Sequence, residues 1–176
     1  MTELADILAR LDRLEAESAI RACLSDYMDL CDRLDADTDL DALGALFTEG
    51  AVWGGAGDRY ERDFGQHHGR AAIVAMLGRF CTTPPHFAVN AHFLSSEAIA
   101  WDGETPTGRW LMLQTPSFHD GQSFVMAARL TIRFARQAGR WRMADFRTSN
   151  LYARPVAPWN QPAAIPQPQD NREEPK

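Results

Sequence analysis

The chain has 176 residues, 45% apolar and 24% charged, enough to bury one good core and an ordinary length for a single domain. A formal charge of −6 and a pI near 5.3 argue against nucleic acid or an anionic membrane surface as partner, since both demand a clustered positive face. Three cysteines, Cys23, Cys31 and Cys81, are an odd count with no CxxC pair, which argues against a disulfide framework and fits a reduced, cytoplasmic protein.

In chain order, the N-terminal stretch is acidic and amphipathic, unlike a secretory leader, and no apolar run approaches membrane-spanning length. Thr2 is placed to cap a first helix whose Leu4, Ile7, Leu8, Leu11 and Leu14 form a narrow seam. That helix either continues into the next one or bends near Ser18. From Ala19, the residues Ile20, Cys23, Leu24, Tyr27, Cys31 and Leu34 recur at three- and four-residue steps, the period of one buried helical face. This face carries a phenol among hydrocarbons, with Asp32 and Asp35 close behind near the helix end. An aspartate-rich turn leads to Thr38 and Asp41, a capping-box spacing for a short helix through Phe47 that Gly50 ends.

The period then changes. Residues 51–53 and 59–64 read as two short strands joined across Gly54, Gly55 and Gly57. Gly69 opens a helix with Ile73, Met76, Leu77 and Phe80 on one face, stopped by Pro84 and Pro85. Residues 87–101, 107–118, 122–136 and 141–152 read as long strands, separated by DGET, HDGQ and QAGR turns. Trp110, Met112 and Gln114 alternate with Leu111, Leu113 and Thr115, and Leu130, Ile132 and Phe134 with Arg129, Thr131 and Arg133. Such alternation suits a sheet with one face covered by helices. Beyond Arg154, six of the last twenty-two residues are proline. This defines a domain over residues 1–154 and a Pro-rich tail or docking arm over 155–176, with Val156 and Trp159 as its anchors. The predicted fold class is α+β: a cone whose N-terminal helices pack on a strongly curved, mixed or antiparallel sheet.

Several stretches carry a resemblance: YMDLCD at Tyr27–Asp32, LDALGALFTEGAVW at Leu40–Trp53, GRAAI at Gly69, HFLSSEAIAWDGETPTGRW at His92–Trp110, and GRWRMADFR ending at Arg147. With the order of elements, these resemble SnoaL-like proteins of the nuclear transport factor 2 superfamily, which includes scytalone dehydratase and bacterial bile-acid dehydratases. The resemblance covers residues 3–153 and implies homo-oligomers, dimers or trimers. It is specific for the fold and less so for the reaction, since one fold hosts many chemistries. It implies that His92 is the proton-moving base, Asp32 its orienter and Tyr27 an oxygen-binding donor. Departures are Gln114, where the bile-acid enzymes carry an acid, and Leu130, where scytalone dehydratase carries an asparagine.

The chemistry has its own logic. Elimination next to an activated carbon needs a base near neutral pKa, which histidine supplies. A carboxylate on one ring nitrogen selects the tautomer that leaves the other free to accept a proton. On an ideal helical wheel Asp35 lies nearer the apolar stripe than Asp32, and only the resemblance favours Asp32. Trp53 reads as core or cavity wall, and Gln114, Arg129, Arg147 and Asn150 as strand residues that reach a substrate if they face inward. His67, His68 and His86 raise a metal site, but adjacent residues of an extended segment point opposite ways, so none is expected. The expected activity is a cofactor-independent lyase of the dehydratase type acting on a hydrophobic cyclic or aromatic molecule such as a polyketide, steroid or lignin-like aromatic. The alternatives are an isomerase or cyclase at the same site, or a non-catalytic ligand carrier or accessory subunit resembling the small subunit of ring-hydroxylating dioxygenases.

Overall fold

The structure, a computed structural model, describes residues 2–157. The apolar periodicity from Leu4 to Cys31 forms one unbroken helix, α1 (Thr2–Asp32), with no bend at Ser18; the side chain of Thr2, and so its proposed cap, lies outside the described residues. The second half of α1 buries Ile20, Cys23, Leu24, Tyr27, Met28 and Cys31, whereas Leu4, Ile7, Leu8, Leu11 and Leu14 stay exposed. At roughly 100° per residue the two stripes fall on opposite sides of the helix. Arg13 over the Trp101 ring, 5.0 Å from its centroid, and Glu17 accepting from Trp101 Nε1 at 3.2 Å fasten the first half to the body.

Helix α2 (Leu40–Ala45) is capped by Asp39, whose side chain accepts from Ala42 N at 2.8 Å. Thr38, the expected cap, instead donates to Arg33 O at 3.0 Å and closes the preceding turn. The helix stops short of Phe47, and Phe47 and Gly50 both lie in strand β1 (Phe47–Ala56).

The stretch 59–64, expected as a strand, is helical: α3 (Gly57–Phe64). Spacing of four wins over spacing of two here. Tyr60 and Phe64 meet edge to face at 5.0 Å one turn apart, and Arg59 lies 3.8 Å from Asp63 at the same spacing. Gly55 lets the helix lie on the strand, because a Cβ there would sit 2.1 Å from Tyr60 O. The antiparallel partner of β1 is β2 (Gln66–His68). Helix α4 (Arg70–Gly78) then buries Ile73, Met76 and Leu77.

The remaining strands are β3 (Phe87–Val89), β4 (His92–Asp102), β5 (Thr105–Gln114), β6 (Ser117–Phe118), β7 (Ser123–Gln137) and β8 (Arg140–Val156). Two of the four expected long strands are thus each split in two. The main sheet runs β2-β1-β8-β7-β5-β4; β1 and β8 are parallel and the other pairs antiparallel, so the sheet is mixed. Register shifts at Ser95/Ala98, Ala127/Ala128 and Arg133/Phe134 add bend and twist, as bulges do, and the helices cover the concave side. Leu130, Ile132, Phe134 and Met143 are wholly buried there. This is an α+β cone. Strand β8 runs on through Pro155 and Val156, which pair with Phe124 and Ser123, so the first residues of the expected tail are sheet; Trp159 lies outside the described residues. No described helix is long and apolar enough to cross a membrane.

Candidate active site

Between the helices and the concave face lies a cavity of about 280 Å³, walled mainly by apolar side chains such as Met28, Phe80, Met112, Met126, Leu130 and Phe146. Its polar groups come from the end of α1, strand β1, helix α3 with Arg59, Tyr60 and Asp63, His86 and Asn90 on either side of β3, the start of β4, the end of β5 and strand β8.

The end of α1 meets the start of β4. Asn90 donates from Nδ2 to Cys31 O at 3.2 Å, satisfying one of the carbonyls that a helix C-terminus leaves without an intrahelical partner. Two residues on, His92 donates its backbone N–H to Asp32 Oδ2 at 3.2 Å, and its ring Nδ1 lies 2.6 Å from Asp32 Oδ1. A carboxylate can only accept, so Nδ1 carries the proton in the neutral ring. Nε2, without a partner among the described residues, keeps its lone pair on a residue that lines the cavity. Asp35, the competing carboxylate, is engaged elsewhere: its Oδ1 accepts from Asp37 N at 3.0 Å and lies 3.1 Å from Thr38 Oγ1 within the turn.

Gln114 stands opposite His92 in the β4/β5 register. It is buried, lines the cavity, and donates from Nε2 to Asn90 Oδ1 at 2.9 Å. Tyr27 sits one helical turn before Cys31, its ring against Phe47 and Phe146 and its hydroxyl accepting from Trp53 Nε1 at 3.1 Å. Burial drives the Tyr27 phenol well above its ordinary pKa, so it stays a neutral hydroxyl. Burial likewise pushes the Cys31 thiol up to about 12, so it is no nucleophile. Trp53 stacks flat on Phe146, 5.7 Å between centroids with 6° between planes, and both line the cavity.

The other expected contacts divide by face. Arg129 is exposed, between inward-facing Ala128 and Leu130. Arg147 lies outward between buried Phe146 and Thr148 and pairs with Asp145 at 2.7 Å. Neither lines the cavity, because strand alternation gives inward positions to their neighbours. Asn150 does face the concave side, but beneath Tyr60 rather than at the cavity surface, and donates from Nδ2 to Tyr60 Oη at 3.2 Å. His67 and His68 diverge: His67 Nε2 lies 2.9 Å from Phe64 O, while His68 is exposed. His86 stacks edge-on among Phe80, Phe87 and Phe118 at the cavity margin.

The sequence reading missed Tyr60 and Asn90. Tyr60 was hidden by the strand assignment, although Arg59/Asp63 and Tyr60/Phe64 at four-residue spacing carried the helical signal. Asn90 had no local signal, since the helix-end carbonyl it caps, on Cys31, lies 59 residues upstream.

A helix-backed, strongly curved mixed sheet closed around an apolar chamber with a histidine–carboxylate pair in its wall defines a cone of the nuclear transport factor 2 type. More particularly, the chain belongs to the SnoaL-like domain family, whose model matches residues 12–147. Similar solved structures include hexachlorocyclohexane dehydrochlorinase LinA-type3 from Novosphingobium barchaimii LL02, at TM-score 0.70 and 19% identity, covering 90% of this chain and 99% of that one. A scytalone dehydratase-like protein from Novosphingobium aromaticivorans DSM 12444 aligns at TM-score 0.63 and 16% identity over 93% of this chain and 100% of that one. An NTF2-like protein with a cystatin-like fold from Novosphingobium aromaticivorans aligns at TM-score 0.62 and 27% identity over 84% and 90%. A search of curated proteins returned no match.

Proposed function

We propose that this protein is a cofactor-independent lyase that eliminates a small leaving group from a hydrophobic cyclic or aromatic molecule, of polyketide, steroid or lignin-like type. The observation that carries this reading is the 2.6 Å contact between His92 Nδ1 and Asp32 Oδ1 in the wall of a mainly apolar chamber. The names of the similar structures, a dehydrochlorinase and a scytalone dehydratase-like protein, support elimination as the reaction class.

In the proposed step, His92 Nε2 takes a proton from a ring carbon. The C–H electron pair becomes the second bond of a new C=C as the bond from the adjacent carbon to the leaving group breaks. A hydroxyl leaving group takes the collected proton and departs as water; a halide departs as the anion, and the proton passes to solvent. Asp32 holds the ring in the productive tautomer and stabilises the imidazolium between the two halves of the step. Tyr27 and Gln114 bind substrate oxygen, where donors in a dry pocket favour developing negative charge, and Trp53 offers its indole to a flat ring.

Three free thiols support a reducing, cytoplasmic setting. Exposed Phe93, Leu113 and Tyr152, joined through Ala127 in one cross-strand row, support self-association as a dimer or trimer.

The test is mass spectrometry of cyclic alcohols and halides incubated with the protein and with His92→Ala. Loss of water or hydrogen halide that needs His92 supports the lyase. A product of unchanged mass makes the protein an isomerase or cyclase. Tight binding without turnover, unaffected by His92→Ala, makes it a carrier, and stable co-purification with a larger iron-containing subunit makes it an accessory chain.

A further inference from the structure

The cavity holds a second phenol on an element remote from the His92–Asp32 pair. Tyr60, on α3, is buried and lines the chamber. Its ring is held edge-on by Phe64, and its oxygen is approached by Asn150 Nδ2 at 3.2 Å.

The hydrogen bonds around Asn150 settle the direction of that contact. The same nitrogen lies 3.1 Å from Tyr152 O and 3.5 Å from Ala127 O. Backbone carbonyls can only accept, which turns the NH2 toward them, and its two protons go to the two nearer oxygens, Tyr152 O and Tyr60 Oη, with the 3.5 Å approach to Ala127 O the longest of the three. An amide nitrogen has no lone pair to offer, so the phenol oxygen is the acceptor and its own proton must go elsewhere. No side-chain or backbone acceptor takes it among the described residues. Tyr60 is therefore satisfied as an acceptor and open as a donor, in a mainly apolar wall where Arg59 and Asp63 of the same helix are its charged neighbours. Tyr27, the chamber's other buried phenol, accepts from Trp53 Nε1 at 3.1 Å. Two independent features hold Tyr60 in place. The register shift at Ala127/Ala128 brings Asn150 opposite Ala128, and the close seating of α3 on Gly55 sets the height of the phenol above the sheet.

We propose that the Tyr60 hydroxyl is an oxygen-recognising group of the cavity and Asn150 its positioning residue, so that the preferred ligand is a compact ring hydrocarbon bearing a carbonyl or phenolic oxygen. This rests on the chamber being the substrate site, as proposed above, but not on turnover. A donor built into a dry wall favours ligands with a matching acceptor and rejects the same ring without one, because the ring alone leaves the hydroxyl unpaired.

The probes are 1-tetralone and tetralin, one bicyclic skeleton with and without a carbonyl, titrated against the full chain by calorimetry. The wild type binds the ketone about five- to tenfold more tightly than the hydrocarbon, the worth of one neutral hydrogen bond. Tyr60→Phe, which keeps the ring packing, brings that ratio close to one while leaving tetralin affinity in place. Asn150→Asp turns the donor into an acceptor that captures the phenol proton, and also removes the ratio. Asn150→Ala, with Tyr60 intact but unheld, lowers it less, and circular dichroism confirms that each variant is folded. Arg133→Ala, on the outward face of β7, keeps the preference. Equal or absent binding of the two probes by the wild type, or a preference that survives Tyr60→Phe, overturns the proposal. Because no turnover is read, a failed search for elimination products leaves this result standing, and a failed ketone preference leaves the His92 chemistry standing.

Discussion

The concave and convex faces of the sheet are built from the same strands and diverge in everything else. On β7, Leu130, Ile132 and Phe134 are wholly buried while Arg129 and Arg133, between and beside them, are exposed. On β8, Phe146 and Thr148 reach the chamber while Arg147 turns outward to Asp145. A residue one position away along a strand is in a different solvent, so an arginine's position in sequence says little about whether it can touch a substrate until the register is known.

The sharpest way to break this comparison is at the inner wall. His92→Ala should lower turnover by about 10²–10⁴-fold, the usual worth of a positioned acid–base group, with the fold retained by circular dichroism; a variant that turns over at the wild-type rate would remove the chamber from the chemistry. Next in size, Phe134→Ala on the same face should cost about 3–5 kcal/mol in denaturant unfolding, as emptied aromatic sites do. The outward Arg133→Ala should stay within about 0.5 kcal/mol.

The buried thiols on α1 give a smaller, pH-dependent difference. Burial raises Cys31 to about 12 and Cys23 to about 11, from an ordinary value of 9.0. In the unfolded chain these thiols lose their protons at lower pH than in the fold. Their contribution is therefore fully present below about pH 9 and is lost as pH rises through the folded values, so unfolding midpoints should drop across that window. Cys23→Ala with Cys31→Ala should flatten the drop, and in the native protein at pH 8 both thiols should alkylate far more slowly than after unfolding.

Smallest of all, Arg129→Ala and Arg147→Ala should leave turnover unchanged and shift stability by no more than about 0.5 kcal/mol. Arg129 is exposed, and the Arg147–Asp145 pair is partly open to solvent. A large loss of turnover from either would mean that the strands face the other way.

Much of the cone was legible in the chain. Apolar residues at helical spacing located α1, glycine-bearing turns located the hairpins β4/β5 and β7/β8, and the alternation in β5 and β7 told which residues travel together. The failures are local competitions decided by packing. DRYERDF carries both a strand-like and a helix-like pattern, and Gly55, by allowing a backbone to come within contact of β1, let the helix win. The seam Leu4–Leu14 has the same periodicity as Ile20–Cys31, yet only the second finds a sheet opposite it.

What the sequence determined by itself is which residues share a face, because the periods of helix and strand are fixed by backbone geometry. Only the tertiary structure decided which face looks inward, that Asp32 rather than Asp35 reaches His92, and that Asn150 serves Tyr60 instead of the chamber itself. Those outcomes depend on contacts between residues about 60 and 90 positions apart, and a local pattern carries no information about what the rest of the chain places across from it.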